Sequence, residues 1–421
     1  MSALQNAKKL SVSQNALYNT LGTVIFCFCQ WATSALLVVH LSPADVAVAN
    51  TGILQLCVSI TNIFFGISTY NVRTYQISDV NDKYSHGDYI GARFVTAPLS
   101  VALCIGYVLI LGYDIKTVLC ITFYMLFRLN ETFSDVLHAI DQKNYRMDYV
   151  GISFIIRGIV LVIAFAASLY ITGDLLISVI IMAVATTAVV IFYDIPRTSQ
   201  FGSIKPVFNK KSIVSLLVIC LPTVISLVAF TAITSVPRQT LEAMQGTEAL
   251  GYYGTVAAPV LVVQTMATSI FNPMLTELAV LYSNGENRQF MKKLFVSVLL
   301  LCIITLVVLG GIAVLGKFAV GLVFGKEFVP YTYLMYGVVG CAAAYTLSWI
   351  CTNVLIIMRR LKICMVTSVI ALALSALWAR PFINGFGMNG VSFAIILAYV
   401  IHVVTCGTVI FFNLNHKGKR N

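Results

Sequence analysis

Charged side chains are scarce in this chain of 421 residues. Asp, Glu, Lys and Arg make up only 10% of it, whereas hydrophobic residues make up 59% and the mean hydropathy is +0.90. In soluble globular domains about a quarter of all residues are charged. The scarcity of charge therefore excludes a soluble protein and indicates a chain that crosses a membrane many times.

The motifs of several soluble chemistries are also missing. The sequence contains no GxxxxGK[ST] phosphate loop, no GxSxG elbow, no HExxH pair and no Rossmann fingerprint in a suitable context. Its eleven cysteines show no CxxC pair and no His/Cys metal spacing. We expect no cofactor, no metal site and no enzymatic activity. A membrane-embedded polymerase or acyltransferase would need a long outer loop, which the sequence lacks.

Hydrophobic stretches, by contrast, are long and numerous. A membrane-spanning helix needs about twenty apolar residues. By that rule the sequence predicts an all-α polytopic membrane protein with twelve transmembrane helices, at residues 19–40, 45–71, 92–113, 117–140, 149–172, 174–193, 212–236, 250–280, 293–315, 329–358, 363–383 and 389–413.

The basic residues indicate the orientation of these helices. With the N-terminus inside, the predicted cytoplasmic connections contain twenty lysines and arginines, and the opposite face contains five. Such a bias marks the cytoplasmic side, so we expect both termini to be cytoplasmic. It also explains the net charge of +11 as membrane topology, and nucleic acid is not expected as a partner.

The longest connection without a span, 194–211, contains Pro196, Pro206 and a pair of lysines. It divides the chain into two predicted six-helix bundles, 1–206 and 207–421. Weak self-similarity agrees with that division, although apolar helices also align by chance. In one alignment Leu129–Asp141 superposes on Leu347–Arg359, which pairs Asp135 with Asn353. In a second alignment Ala44–Val72 superposes on Gly251–Ala279.

The fourth span carries an unusual polar stripe. Arg128, Glu131, Asp135 and His138 lie within an arc of about 80° on a helix with about 100° per residue. Ionisable groups at membrane depth cost several kcal/mol each and commonly face a bundle interior or a wet cavity. The stripe therefore predicts the wall of a polar lumen. The alternative is a structural ion pair of Arg128 with Glu131 or Asp135.

The fifth span returns with Arg157 at the predicted level of Glu131, so we expect these two to pair and to leave Arg128 less neutralised. The arginine fork suits phosphate oxygens. Carboxylates in a cavity of low dielectric suit proton or cation coupling. Arg128 and Arg157 beside Glu131 and Asp135 thus predict an anionic substrate that is exchanged against a cation.

Three further residues have two interpretations each. Arg238, just after the seventh span, is either an anion contact on the outward side or a rim arginine at the membrane interface. His138 and His402 are interpreted as hydrogen-bonded structural histidines, and the alternative is a proton relay.

The middle of the chain resembles a known family. The stretch SVPRQTLEAMQGTEALGYYGT at Ser235–Thr255, then Asn272–Leu275 (NPML) after an apolar run and the polar run Asn284–Lys293, are similar to bacterial oligosaccharide flippases. These are the O-antigen and exopolysaccharide exporters of the multidrug/oligosaccharidyl-lipid/polysaccharide superfamily. Asn19–Gly52 has a similar arrangement.

The resemblance implies two six-helix bundles around a cationic central cavity that opens alternately to either side. The substrate would be a polyprenyl-diphosphate-linked oligosaccharide, flipped to the outer leaflet of the bacterial inner membrane for O-antigen, capsule or exopolysaccharide synthesis, with coupling to an ion gradient. Arg128 and Arg157 would contact the diphosphate or acidic sugars, and Arg238 would occupy the arginine position after the seventh span. A polysaccharide polymerase and chain-length machinery are the implied partners.

One departure narrows this resemblance. The related lipid II flippases carry arginines in the first two spans, whereas these spans contain none here. A peptidoglycan-precursor substrate is therefore not favoured. The remaining alternative is a cation-coupled multidrug exporter of the same superfamily, which would favour acids over arginines in its lumen.

Overall fold

The computed structural model describes residues 11–79 and 83–417 of the protein. Within these ranges the chain forms helices and short connections and no strand. In a membrane a helix satisfies all of its backbone hydrogen bonds internally, which explains why apolar segments of this length fold in this way.

Six long helices form the first part of the chain. Their bounds are α1 Val12–Trp31, α2 Ala47–Thr69, α3 His86–Leu111, α4 Ile115–Lys143, α5 Met147–Thr172 and α6 Leu175–Val189. Helix α1 continues through the π-helical turn Ala32–Leu37 into Val38–Leu41, and α6 continues through the π-helical turn Val190–Asp194 into Ile195–Thr198. A short helix, Val72–Ser78, follows α2.

The second part begins with one long helical segment, Lys210–Ser283. Gly246 interrupts it with φ 86° and ψ 172°, a left-handed φ that favours glycine, and so separates α7 (210–245) from α8 (247–283). The remaining helices are α9 Asn287–Val323, α10 Leu334–Ile357, α11 Leu361–Phe386 and α12 Asn389–Lys417.

The predicted fold class is confirmed. By length and hydropathy alone, ten helical segments of the described residues are long and apolar enough to cross a membrane. Helix α4 is not among them, because its polar and charged side chains lower its hydropathy, and Lys210–Val260 is counted as one segment. With α4 included and the long segment divided at Gly246, the described chain contains the twelve helices that the sequence predicts.

The contacts divide the chain into two units, Met1–Val224 and Ile225–Asn421. In the first unit, α1 packs against α5, α2 against α3 and α4, and α6 against α4 and α5. Gly22 of α1 and Gly151 of α5 allow close approach, since a Cβ on Gly22 would lie 2.5 Å from the Gly151 carbonyl oxygen. In the second unit, α12 packs against α10 and α11. The boundary between residues 206 and 207 and the central cavity stay predictions.

The end of each unit repeats the same helix geometry. The first residues of α5 and α11, Met147 and Leu361, are 214 positions apart, and so are the last residues of α4 and α10, Lys143 and Ile357. The hairpins that follow turn at Gly173 (φ 64°) and Gly387 (φ 59°), again 214 positions apart. An internal repeat therefore relates α4–α6 to α10–α12.

This repeat corrects the sequence alignment. The superposition of Leu129–Asp141 on Leu347–Arg359 uses an offset of 218, so it is wrong by four residues, about one helical turn. The structure pairs Asp135 with Trp349 instead of Asn353. Apolar helices align almost equally well after a shift of one turn, which keeps the same face toward the core. Only the turns between the helices establish the offset.

Candidate functional site

The polar stripe of the fourth span lies on α4, where each of its members contacts a different neighbour. Arg128 and Glu131 contact α1 and α2, Asp135 contacts α3 and the short helix, and His138 contacts Asp194 after α6. Helix α4 thus connects most of the first unit through polar contacts.

Arg128 and Glu131 form an ion pair one helical turn apart. Arg128 Nη1 lies 2.7 and 2.8 Å from the two Glu131 carboxylate oxygens, and Gln30 Nε2 of α1 donates to Glu131 at 2.8 Å. The guanidinium stacks on Phe65, with 3.9 Å between Arg128 Cζ and the ring centroid, and donates to Asn62 Oδ1 at 3.3 Å. Both charged side chains keep some exposure, 12% for Arg128 and 14% for Glu131.

Asp135 pairs with two arginines. Its Oδ2 accepts from Arg93 at 2.6 Å and its Oδ1 from Arg73 at 3.3 Å, so the group carries one positive charge in excess. Arg93 is fully buried and also donates to the carbonyl oxygens of Ser68 and Thr69, which end α2. Asp135 therefore holds the C-terminal end of α2 through Arg93, and its carboxylate is already compensated.

The short helix that carries Arg73 is anchored at its end by Asp79. This carboxylate accepts from the Tyr89 hydroxyl at 2.7 Å and from the backbone amides of Lys83 and Tyr84. Burial raises the pKa of Asp79, but these hydrogen bonds and the charge of Lys143 outweigh burial, and the net effect is a lowered pKa. A carboxylate held ionised in this way fixes the connection between the short helix and α3.

Arg157 is not bonded to Glu131, so the predicted pair is wrong. Its guanidinium donates to Asp194 at 2.8 Å, to Ser153 at 3.3 Å and to Ser134, and Ser134 itself donates to Asp194 at 2.6 Å. Arg157 and Asp194 are 0% and 1% exposed. We call these four residues the Arg157 cluster. The substrate-binding role predicted for Arg157 stays a prediction, and in this conformation the side chain has no exposed surface.

Arg238 lies on α7 and differs from the other candidate arginines. It is half-buried, and its guanidinium lies over the Tyr253 ring, with 5.9 Å between Arg238 Cζ and the ring centroid. No carboxylate of the described residues forms an ion pair with it, and its Nε atom is buried without a hydrogen-bond partner. Its positive charge is therefore uncompensated within the described chain.

Three charged residues that bind the candidate residues of α4 and α5 were not predicted from the sequence: Arg73, Arg93 and Asp194. Arg73 and Asp194 follow predicted spans that end at residues 71 and 193, and Arg93, the second residue of the span predicted from residue 92, was counted with the cytoplasmic basic residues. For Arg93 a signal existed: Ser85 and Asp88 form a capping box, which marks a helix beginning at His86. For Asp194 no comparable signal existed, since it lies in a π-helical turn after α6.

Comparison with known proteins gives the family. The model of the polysaccharide biosynthesis protein family matches residues 12–279, well over half of the chain. The chain belongs to this family. A capsular polysaccharide biosynthesis protein, CapF of Staphylococcus aureus, is 24% identical over 323 residues, which cover 75% of this chain and 78% of CapF.

Solved structures share the fold at low sequence identity. The eukaryotic MATE transporter AtDTX14 superposes with a TM-score of 0.71 at 13% identity, over 97% of both chains. An inward-facing MATE transporter of the MOP superfamily gives 0.68 at 10% identity, over 95% of this chain and 96% of that one. A MOP superfamily transporter from Pyrococcus furiosus gives 0.60 at 11% identity, over 96% and 95%. The resemblance drawn from the sequence is thus confirmed for family and fold.

Proposed function

We propose that the protein flips a polyprenyl-diphosphate-linked oligosaccharide from the cytoplasmic to the outer leaflet of a bacterial inner membrane, for the synthesis of a surface polysaccharide. Membership of the polysaccharide biosynthesis family supports the substrate class, and the transporter fold supports alternating access. The observation that carries the residue assignment is the uncompensated charge of Arg238, which a diphosphate would neutralise.

The two arginines proposed for substrate contact differ in their present partners. Arg238 has no ion-pair partner among the described residues and can bind an anion directly, whereas Arg128 is already ion-paired with Glu131. A diphosphate that takes Arg128 from Glu131 would leave a carboxylate free to bind a proton or another cation. Exchange of an anionic substrate against a cation follows from this competition, with Glu131 as the coupling residue and Asp135 as a second carboxylate that balances Arg93 and Arg73. We leave Arg157 out of the direct contacts because it is fully buried.

The alternative is a cation-coupled multidrug exporter of the same superfamily. A cationic drug needs an acidic side chain that is not already bound to an arginine. Glu131, Asp135 and Asp194 are each paired with arginine. The pairing of these three acids favours the anionic substrate.

The test is deletion of the gene in the source bacterium, followed by extraction of diphosphate-linked oligosaccharide and labelling of intact spheroplasts with a membrane-impermeant reagent. We expect accumulation on the cytoplasmic leaflet, relieved by wild-type protein. Hydrogen bonds to a charged group contribute about 1.5–3 kcal/mol, so Arg238→Ala should relieve it at least about tenfold less. Arg238→Lys keeps the charge without the fork and should fall between the two.

The matched control is Arg380→Ala, which removes an exposed arginine of the same unit and should relieve accumulation as wild type does. Charge reversal by Arg128→Glu should abolish relief while the protein stays in the membrane, since it places two carboxylates one turn apart. Full relief by either Arg238→Ala or Arg128→Glu contradicts its assigned role. No accumulation after deletion, with changed sensitivity to cationic drugs, would support the exporter instead.

A further inference from the structure

His402 lies at the centre of a buried polar cluster in the second unit. The ring, which is 0% exposed, contacts Ser348 of α10 through Nδ1 at 2.6 Å, and Thr367 and Ser368 of α11 through Nε2 at 3.3 and 3.5 Å. Ser368 extends the cluster to Ser226 of α7 at 3.1 Å. Four helices therefore meet at this imidazole, and we call His402, Ser348, Thr367 and Ser368 the His402 cluster.

The His402 cluster corresponds to the Arg157 cluster of the first unit. With the offset of 214, Ser134 corresponds to Ser348 and Ser153 corresponds to Thr367. The first pair of hydroxyls contacts the guanidinium of Arg157, and the second pair contacts the imidazole of His402. The position of Arg157 itself is taken by Ala371, which is fully buried. Corresponding hydroxyls thus contact a permanent cation in the first unit and a titratable imidazole in the second.

The guanidinium of Arg157 and the imidazole of His402 differ in their counter-charge. Arg157 is neutralised by Asp194, but the position that corresponds to Asp194 is Thr408. No charged group of the described residues acts on His402. The titratable groups nearby are thiols and phenols: Cys406 on α12, with Sγ 3.6 Å from Nε2, Cys364 on α11 and Cys351 on α10 beside Cys406, and Tyr345 and Tyr399, which pack with His402 around Phe230 of α7.

We propose that His402 is a proton-binding residue of the second unit, through which the conformation of α10–α12 responds to protons. The packed cluster offers hydroxyls that can satisfy a neutral ring in either tautomer, but no carboxylate and no exposed surface for a cation. A proton therefore binds only when the helices separate and water reaches the ring. Proton binding stabilises the separated conformation, and release of the proton allows the cluster to reform.

This inference rests on the proposed transport cycle and names the proton as a coupling ion. The expected size of the pH effect on opening follows from the linkage between proton binding and conformation. A solvated imidazole has a pKa of about 6.5, so the equilibrium for opening should rise roughly tenfold between about pH 7.5 and about pH 5.5 if only the open form binds the proton. The packed form is favoured at the higher pH and loses stability as the pH falls through this range.

The experiment is hydrogen–deuterium exchange of the full-length protein in nanodiscs, corrected for the chemical dependence of exchange on pH. Peptides from α10 and α12 of wild type should exchange about tenfold faster at the lower pH, as that linkage predicts. His402→Gln keeps a hydrogen-bonding side chain that does not titrate, and it should remove the dependence on pH. His138→Gln replaces a buried histidine of the first unit and should retain the response in α10 and α12.

Two results would overturn the proposal: the same acceleration in His402→Gln, or no acceleration in wild type. If His402→Gln does not fold, nitrogen NMR of the five imidazoles of wild type provides the second measurement. His402 nitrogen signals whose relaxation dispersion shows no exchange with a protonated form anywhere between about pH 7.5 and about pH 5.5 would equally overturn it.

Exchange requires no substrate, so a wrong assignment of the transported lipid leaves this result unaffected. The link to transport is tested separately in the deletion strain. At an external pH of about 5.5, His402→Gln should clear lipid-linked oligosaccharide up to about tenfold more slowly than wild type, since proton binding no longer favours the opening step, whereas at about pH 7.5 the two rates should agree. Clearance at the wild-type rate at the lower pH would show that the proton site is not coupled to flipping and would overturn that part of the proposal.

Discussion

The Arg157 cluster and the His402 cluster occupy corresponding positions in the two units and use different chemistry. In the first, a buried guanidinium is neutralised by Asp194 and fixed by two hydroxyls. In the second, two corresponding hydroxyls contact a buried imidazole without a carboxylate. The repeat therefore maintains helix bounds and turns, while the charges inside it differ.

The distribution of acids agrees with this contrast. Eleven of the sixteen aspartates and glutamates precede Ile225, and only five follow. Arginines within the helices of the first unit therefore find carboxylates, whereas Arg238 in the second unit does not. We infer that the charged side chains of the first unit mainly hold its helices together. We infer also that binding of a single ion changes the conformation of the second unit more than that of the first.

The largest effect is expected from breaking the ion pair of the first unit. Asp194→Asn leaves the buried guanidinium of Arg157 without a counter-charge and should lower the free energy of unfolding by about 3–5 kcal/mol. Thermal unfolding in detergent micelles measures this loss. The exposed Asp45→Asn serves as the control, and surface substitutions of this kind usually change stability by less than about 0.5 kcal/mol.

The double replacement Arg157→Leu with Asp194→Leu sharpens the same test. Because it removes both charges together, it should cost clearly less than the sum of the single changes. Additive losses would show that the pair does not act as a unit.

A matched pair of serines gives a smaller effect and compares the clusters directly. Ser134→Ala removes hydrogen bonds to charged groups, about 1.5–3 kcal/mol, whereas Ser348→Ala removes a bond to a neutral imidazole, about 0.5–1.5 kcal/mol. Thermal unfolding of both variants under identical conditions should show the larger loss in the first unit. Equal losses would contradict the contrast in charge.

The glycine turns should give the smallest difference in stability between corresponding variants of the two units. Gly173 has φ 64° and ψ 1°, and alanine in this left-handed conformation costs roughly 1–2 kcal/mol. Gly387 has φ 59° and ψ −139°, a region close to one that is essentially restricted to glycine, where the cost is of order 1–3 kcal/mol. Thermal unfolding should therefore rank Gly387→Ala as somewhat more destabilised than Gly173→Ala, although a Cβ at Gly173 would approach Pro43 Cγ at 3.3 Å. The reverse order would contradict the turn geometry.

Most of the helices and the candidate residues on α4 were predictable, because apolar length and a charged stripe are local properties of the sequence. The partners of these residues were not. The predicted pair of Arg157 with Glu131 used the depth of each residue alone, and depth does not reveal the direction in which a helix presents its side chain. The predicted register of the repeat was wrong for a similar reason, because a shift by one helical turn preserves the apolar pattern.

The sequence by itself determined that this protein is an all-α polytopic membrane protein of twelve helices with a scarce and unevenly placed set of charges, because the length of apolar runs and the cost of burying charge act residue by residue. Only the tertiary structure decided which charges are compensated. Ion pairing depends on the contact of side chains from helices far apart in the sequence, and those contacts separate Arg157, held by Asp194, from Arg238, which has no carboxylate partner in the described chain.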